Sequence, residues 1–336
     1  NKAAELNPNN LRYKERLAQI YFREKQTDKA IEQYKEIITQ SPVNIDVHVN
    51  LGLLYFEDKQ FDRAVDEFRV VLEARPNNSS IRYYLAIALA EMDRNEEAIE
   101  ELKGIIAQEP KNISAFLYLA FLYSKLNRDD DAIAIYEEIL SFEKEKPEVY
   151  LYLAATHTHK KEYAKAEVVL KEGLTKFGGH DDLNFNLAVV FERTGRFDDM
   201  VRYLRNTIEI NPNHADALNY LGYSYADRGV NLEEARELIL KALDLKPDSG
   251  YIMDSLGWVY FKSGKREEAL KVLLRAAEIV KNDPVVLEHV GDVYHSMGLR
   301  EKAVEFWKKA IEFHAKGEDE DEDMKDRIQK KIEESR

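Results

Sequence analysis

Between Ile113 and Leu126 the chain reads ISAFLYLAFLYSKL, with eight apolar or aromatic residues in a row from Phe116 to Tyr123. Most of the remaining sequence alternates apolar and charged positions at spacings of three and four, the signature of amphipathic helices. A helix that is apolar on every side has to be covered on every side. Neighbouring helices can cover most of this one. What remains is a face that waits for something else.

The pattern also repeats. Pro8, Pro42, Pro76 and Pro110 lie 34 residues apart, each closing a helical run with a phrase such as ELNPNN or EARPNN. Self-similarity at this period predicts a solenoid of stacked helical pairs. Counted from Leu11, the seventh and eighth positions of successive units are Leu17-Ala18, Leu51-Gly52, Leu85-Ala86, Leu119-Ala120, Leu153-Ala154, Leu187-Ala188, Leu221-Gly222, Leu256-Gly257 and Val290-Gly291. Position 20 is alanine at Ala30, Ala64, Ala98, Ala132, Ala166, Ala269 and Ala303, and position 11 is tyrosine at Tyr21, Tyr55, Tyr123, Tyr225, Tyr260 and Tyr294. Small residues at 8 and 20 let the first helix of a unit, A, approach the second, B. Large residues at 4, 7, 11 and 24 fill the seam, and proline stops helix B.

These residues resemble the tetratricopeptide repeat (TPR) family, over nearly the whole chain. The resemblance implies an all-α fold, a right-handed superhelix of nine helix-turn-helix repeats at 11–44, 45–78, 79–112, 113–146, 147–180, 181–214, 215–249, 250–283 and 284–317. Residues 1–10 read as the tail of a truncated repeat, with Ala3 at position 27, which places further repeats upstream. Residues 318–336 read as an acidic capping helix. Met324 and Ile328 continue the register at positions 7 and 11, Ile332 completes an i, i+4, i+8 stripe, and the acids from Glu318 to Asp323 suit a helix N-terminus.

Departures from the register carry their own expectations. Gly178-Gly179 replace the expected proline, Gly173 occupies position 27, and Met200 replaces the position-20 alanine. Residues 171–207 are therefore expected to be the loosest stretch and a candidate hinge, with Met200 pushing its two helices apart. Repeat 7 has one extra residue within Asp227–Asn231, which a longer turn would absorb.

In the family the A helices line a concave surface, with positions 2, 5, 6, 9, 12 and 13 pointing into it. Position 9 here is Leu53, Ile87, Phe121, Ala155, Val189, Tyr223 and Trp258; position 6 is Asn50, Tyr84, Tyr118, Tyr152, Asn186 and Tyr220; position 5 adds Val49, Tyr83, Leu117, Leu151 and Phe185. Ala155 and Val189 apart, these are the candidate peptide-binding residues. Rings would take side chains of a bound segment while hydroxyls and amides hold its backbone. The apolar run then divides: Phe116, Leu119, Leu122 and Tyr123 belong to internal seams, and Leu117, Tyr118 and Phe121 to the groove. A tightly wound superhelix would instead bury position 9 against the neighbouring A helix.

The family's carboxylate clamp needs Lys at position 5 and Asn at position 9, but the pairs here are Glu15-Gln19, Val49-Leu53 and Tyr83-Ile87; only Arg12 and Arg16 echo its last third. In repeats 8 and 9, Asp254, Glu288, His289, Asp292 and His295 replace the aromatics and read as an acidic, solvated rim. Glu288, Asp292 and His295 share one face, and His157 and His159 point apart, so no metal is expected.

Composition narrows the function. Among 336 residues, 49 Lys and Arg stand against 63 Asp and Glu, a net charge of −14, which argues against nucleic acid or an anionic membrane as partner. The lack of cysteine removes disulfides and thiolate chemistry, and no apolar run approaches the roughly 18 residues of a spanning helix. Without a nucleotide loop, HExxH, GxSxG or EF-hand spacing, an enzyme reading has no residues to name, and no cofactor is expected. The expected function is a non-catalytic scaffold or adaptor holding a protein segment in an apolar, tyrosine-rich groove; the alternative is a self-assembling protein whose groove receives another copy. Phrases in repeats 7 to 9, LGYSYADRG and DSLGWVYFKSGKREEAL, resemble multi-TPR lipoproteins of Gram-negative bacterial envelopes. That resemblance implies a periplasmic or outer-membrane-tethered adaptor for envelope proteolysis or assembly; without it the chain reads as cytoplasmic.

Overall fold

A computed structural model describes residues 10–315 and 323–335. The truncated repeat expected at Asn1–Pro8, and the acids Glu318–Glu322, lie outside the described residues. Among the described residues there are nineteen α-helices and no strand. They fall into two compact units, Asn1–Glu162 and Tyr163–Arg336.

The first unit holds α1 (Leu11–Arg23), α2 (Thr27–Gln40), α3 (Ile45–Glu57), α4 (Phe61–Ala74), α5 (Ser79–Glu91), α6 (Asn95–Gln108), α7 (Ile113–Lys125), α8 (Asp129–Phe142) and α9 (Pro147–His159). Successive helices pack as A–B pairs, and α9 closes on α8. The second unit holds α10 (Tyr163–Lys176), α11 (Asp181–Arg193), α12 (Phe197–Ile210), α13 (Ala215–Arg228), α14 (Leu232–Leu245), α15 (Gly250–Lys262), α16 (Arg266–Ile279), α17 (Pro284–Ser296), α18 (Arg300–His314) and the cap α19 (Met324–Glu334). Here α10 packs on α11, four A–B pairs follow, and α19 packs on α18.

Small residues sit where the seams need them. Ala18, Ala30, Ala64, Ala86, Ala98, Ala120 and Ala132 are fully buried. At Gly52 a Cβ would come within 2.7 Å of the Phe68 ring, and at Gly291 within 2.4 Å of Trp307, so a large residue at position 24 of helix B uses the space that glycine at position 8 leaves. Met324, Ile328 and Ile332 are buried, and the stripe read from the sequence is the face by which α19 covers the last pair.

The stretch 171–207 lies wholly in the second unit, and the division between units falls upstream of it, in the turn between α9 and α10. Gly173, Met200, Leu204 and Thr207 are all buried there. The Met200 thioether reaches along the seam to α13, where it accepts a hydrogen bond from the Ser224 hydroxyl at 3.7 Å. In repeat 7 the extra residue is absorbed by a turn with two left-handed residues, Gly229 (φ 68°) and Asn231 (φ 48°), which keeps Ala235 buried.

The Gly178-Gly179 turn is equivalent to the proline turns. His180 N–H donates to Phe177 C=O at 2.8 Å, as Asn78 N–H does to Arg75 C=O at 3.1 Å around Pro76, and neither glycine has a positive φ. Gly178→Pro is therefore expected to raise stability by about 0.4–1 kcal/mol by restricting the unfolded chain. Denaturant titration of the variant checks this; a lowered midpoint would show that the turn needs glycine.

Candidate functional site: an aromatic trough in the first unit

Helix α7 presents its apolar residues to three environments. Phe116, Leu119, Leu122 and Tyr123 are buried in the seams, Leu117 and Tyr118 are half-buried, and Phe121 is 54% exposed. The exposed side opens on a cavity of about 550 Å³ lined by Tyr83, Leu117, Tyr118, Phe121, Tyr136, Tyr152, Ala155 and the hydroxyls of Ser114, Ser124 and Thr156. The rings of Tyr118 and Phe121 stack at 5.7 Å with 19° between planes; Tyr83 tilts against Tyr118 at 5.8 Å; Tyr136 and Tyr152 pair at 5.9 Å. Tyr152 is 48% exposed.

No charged residue lines this cavity. Burial, the carboxylate of Glu91 and the neighbouring Tyr83 push the Tyr118 phenol up to about 12. Burial also raises Tyr83 and Tyr136, the latter against a hydrogen bond with Ser124. These phenols are thus neutral donors and acceptors across the physiological range. Thr156 is engaged with the Tyr152 carbonyl at 2.9 Å.

A second cavity of about 310 Å³, also in the first unit, is lined by Gln19, Phe22, Arg23, Tyr34, Asn50, Leu53, Leu54 and Glu57. Val49, Ile87 and Leu151 are half-buried outside both cavities, and Tyr84 leans edge-on against Phe56 at 5.3 Å. Tyr34 and Tyr136, both at position 24, also line these two cavities. Position 24 reads as seam, and a tyrosine there is long enough for its far end to reach a cavity; the tyrosine in place of the aliphatic Leu102 or Leu170 was the available signal.

The second unit treats the same columns differently. Tyr220 and Tyr223 line a smaller cavity of about 230 Å³ with Phe197, Met200 and Ser224. The Tyr220 hydroxyl donates to Glu192 at 3.3 Å, Phe185 lies edge-on to Tyr220, and the Asn186 amide donates to the Asp182 carbonyl at 2.8 Å. Burial pushes both tyrosine phenols well above their usual range.

Two expectations need correction here. Trp258 is not a groove anchor: it is 7% exposed, stacked at 4.1 Å on His289, and its Nε1 faces Asp227 at 3.3 Å. The acids of repeats 8 and 9 are not a solvated rim either, because Asp254, Glu288 and His289 are buried. His289 Nδ1 donates to Asp254 at 2.9 Å; burial opposes its protonation, but Asp254, Asp292 and Glu288 outweigh burial and hold its pKa above the usual imidazole value. The Arg327 guanidinium grips Glu288 at 3.0 and 2.7 Å, and Lys331 bridges Glu288 and Asp292 at 2.7 Å each. His157 pairs with Glu162 and His159 with Asp129, both at 2.8 Å. His295 lies beside Trp307 at 5.4 Å. Position 9 therefore follows no single rule: Phe121 and Ala155 are exposed, Leu53, Ile87, Val189 and Tyr223 half-buried, and Trp258 buried.

Models of the tetratricopeptide repeat match residues 21–82, 55–119 and 89–156, then 185–250, then 250–282. The chain belongs to the tetratricopeptide repeat family. TPR proteins are generally protein-interaction scaffolds. In fold this TPR chain is similar to the C-terminal part of a TPR repeat-containing protein of Cytophaga hutchinsonii, with a TM-score of 0.59 at 16% identity over 72% of this chain and 98% of that one. It is also similar to a tetratricopeptide repeat protein of Parabacteroides merdae, with a TM-score of 0.50 at 14% identity over 84% and 98%. In sequence it is 38% identical over 108 residues to a TPR repeat-containing protein of Pseudomonas aeruginosa, a match that spans 32% of this chain and 18% of that relative. Among the described residues no helix is long and apolar enough to cross a membrane.

Proposed function

We propose that this TPR chain is a scaffold whose first unit holds a protein or peptide segment in the trough at α7. The supporting observation is the ring-walled cavity of about 550 Å³, in which Phe121 and Tyr152 keep about half their surface open. Aromatic side chains bring roughly 150–250 Å² each to a contact and dominate interface energetics. The half-exposed rings supply contact area, and no charged residue of the lining interrupts it. The finer role is recruitment of substrates or partners in envelope proteolysis or assembly, supported by the phrasing of repeats 7 to 9; fractionation of the producing cell tests that placement.

The binding reading is tested with a peptide selected on the intact chain from a random library. Tyr118→Ala and Phe121→Ala are each expected to weaken it by about 2 kcal/mol, roughly thirtyfold, with little change in melting. Unchanged affinity in the folded double variant removes the trough as the site. Mass that rises with protein concentration in light scattering would identify a second copy of the chain as occupant.

A further inference from the structure

The described cation–ring contacts each pair a lysine or arginine of this protein with one of its own rings. Arg128 lies over Tyr123 at 4.4 Å, Arg196 over Phe191 at 4.2 Å and Arg228 over Phe197 at 4.1 Å. Lysines similarly cover Trp258, Tyr294 and Phe306. None of the described cation–ring pairs falls on Tyr83, Tyr118, Phe121, Tyr136 or Tyr152, although these five rings gather around one cavity. Helix α7 shows the contrast within itself, since Tyr123 on its packed side carries Arg128 while Tyr118 and Phe121 carry no described cation.

Three further observations bear on what fits there. Aromatic rings carry a negative quadrupole face that attracts cations, and five aromatic residues line this one space. No lysine or arginine lines the cavity to compete for the faces. Glu91, exposed at the end of α5, is the carboxylate that acts on Tyr118, and the whole chain carries −14, so long-range attraction favours a positively charged ligand. A carboxylate or phosphate ligand would find no cation in the lining to receive it.

Building on the trough as the binding site, we propose that its ligand segment is basic, and that Tyr83, Tyr118, Phe121, Tyr136 and Tyr152 form a cage for one of its Lys or Arg side chains. Leu117 and Ala155 take the aliphatic stem of that side chain, and the serine and tyrosine hydroxyls meet the backbone beside it. The trough therefore selects its partner by a positive charge on an otherwise apolar segment.

The test uses two probes on the intact chain: an acetylated, amidated pentapeptide Gly-Leu-Xaa-Leu-Gly in which Xaa is trimethyllysine, and the same peptide with its uncharged tert-butyl isostere. Size and apolar area are matched, so the difference reads the charge alone. The cationic peptide is expected to bind about tenfold more tightly, a value between exposed and desolvated cation–ring contacts. Phe121→Leu, which keeps an apolar side chain and loses the ring, should reduce the cationic peptide's affinity several-fold and leave the neutral one nearly unchanged. Glu91→Gln should weaken the cationic peptide and flatten its salt dependence. Equal or tighter binding of the neutral peptide, or no binding of either at millimolar concentration, overturns the cage. The trough itself would still stand in those cases if the library-selected peptide responds to Tyr118→Ala and Phe121→Ala, and would fall with the cage if it does not.

Discussion

Replacing Arg327 and Lys331 together by methionine is expected to destabilise the second unit by about 3–5 kcal/mol at neutral pH, although both side chains are partly exposed. The exposure that matters is that of their partner. Glu288 is 4% exposed and has no described hydrogen-bond donor on its carboxylate besides these two cations, so their loss leaves a buried charge alone. Asp292 loses Lys331 but keeps Trp307, whose indole N–H donates to it at 2.9 Å. The apolar stripe of α19 is untouched, so the effect reports on charge rather than on the seam.

The pH dependence separates this from simple loss of packing. Burial alone would raise the Glu288 carboxyl, but Arg327 and Lys331 hold it below the usual carboxylate range. In the native protein its contribution is therefore present above the unfolded value of about 4.3 and is lost as pH falls through the lower folded value. In the double variant burial acts unopposed, the folded value lies above the unfolded one, and the sign reverses: the penalty is present at neutral pH and relaxes as the carboxyl takes up a proton. The stability gap between the two proteins should thus narrow from pH 7 to pH 4, and Glu288→Gln in the variant background should recover part of the loss at pH 7. A gap independent of pH would assign the effect to packing.

This cap also marks where the sequence stops being readable. The 34-residue register places Leu119, Leu122, Gly52 and Met324 correctly because seam positions depend on one helix and its nearest neighbours, which the repeat fixes. Groove positions depend on what lies above them. Glu288 and Asp292 occupy the same columns as the trough residues, and they read as solvated until α19 supplies Arg327 and Lys331 across 39 to 43 residues of sequence. The i, i+4 spacing of those two cations on the apolar stripe's flank was the visible cue. Trp258 reads as an open anchor for the same reason, since its cover, His289, arrives from the next A helix. Within the trough, Tyr118 and Phe121 were legible from the family's groove positions, which helical spacing permits, whereas Tyr136 was not, because a seam position and a cavity wall are the same position when the side chain is long.

Phe116→Ala and Phe121→Ala make the sharpest comparison the chain offers: one residue type, one helix, five positions apart, and about 140° around the axis at roughly 100° per residue. Phe116 has no exposed surface and packs on Phe142 with ring centroids 5.6 Å apart, so its truncation is expected to cost about 3–5 kcal/mol through lost burial and the cavity left behind. Phe121 is 54% exposed and its ring already faces water, so its truncation should change stability by no more than about 0.5 kcal/mol. Binding should show the reverse order once the fraction of folded protein is accounted for. Urea melts of both variants, with affinities for the selected peptide measured below the start of unfolding, test the two halves separately. Comparable destabilisation by both would mean that Phe121 is held in the seam. A stable Phe121→Ala that keeps full affinity would mean that the eight-residue apolar run of α7 is covered by the fold alone and leaves no face for a partner.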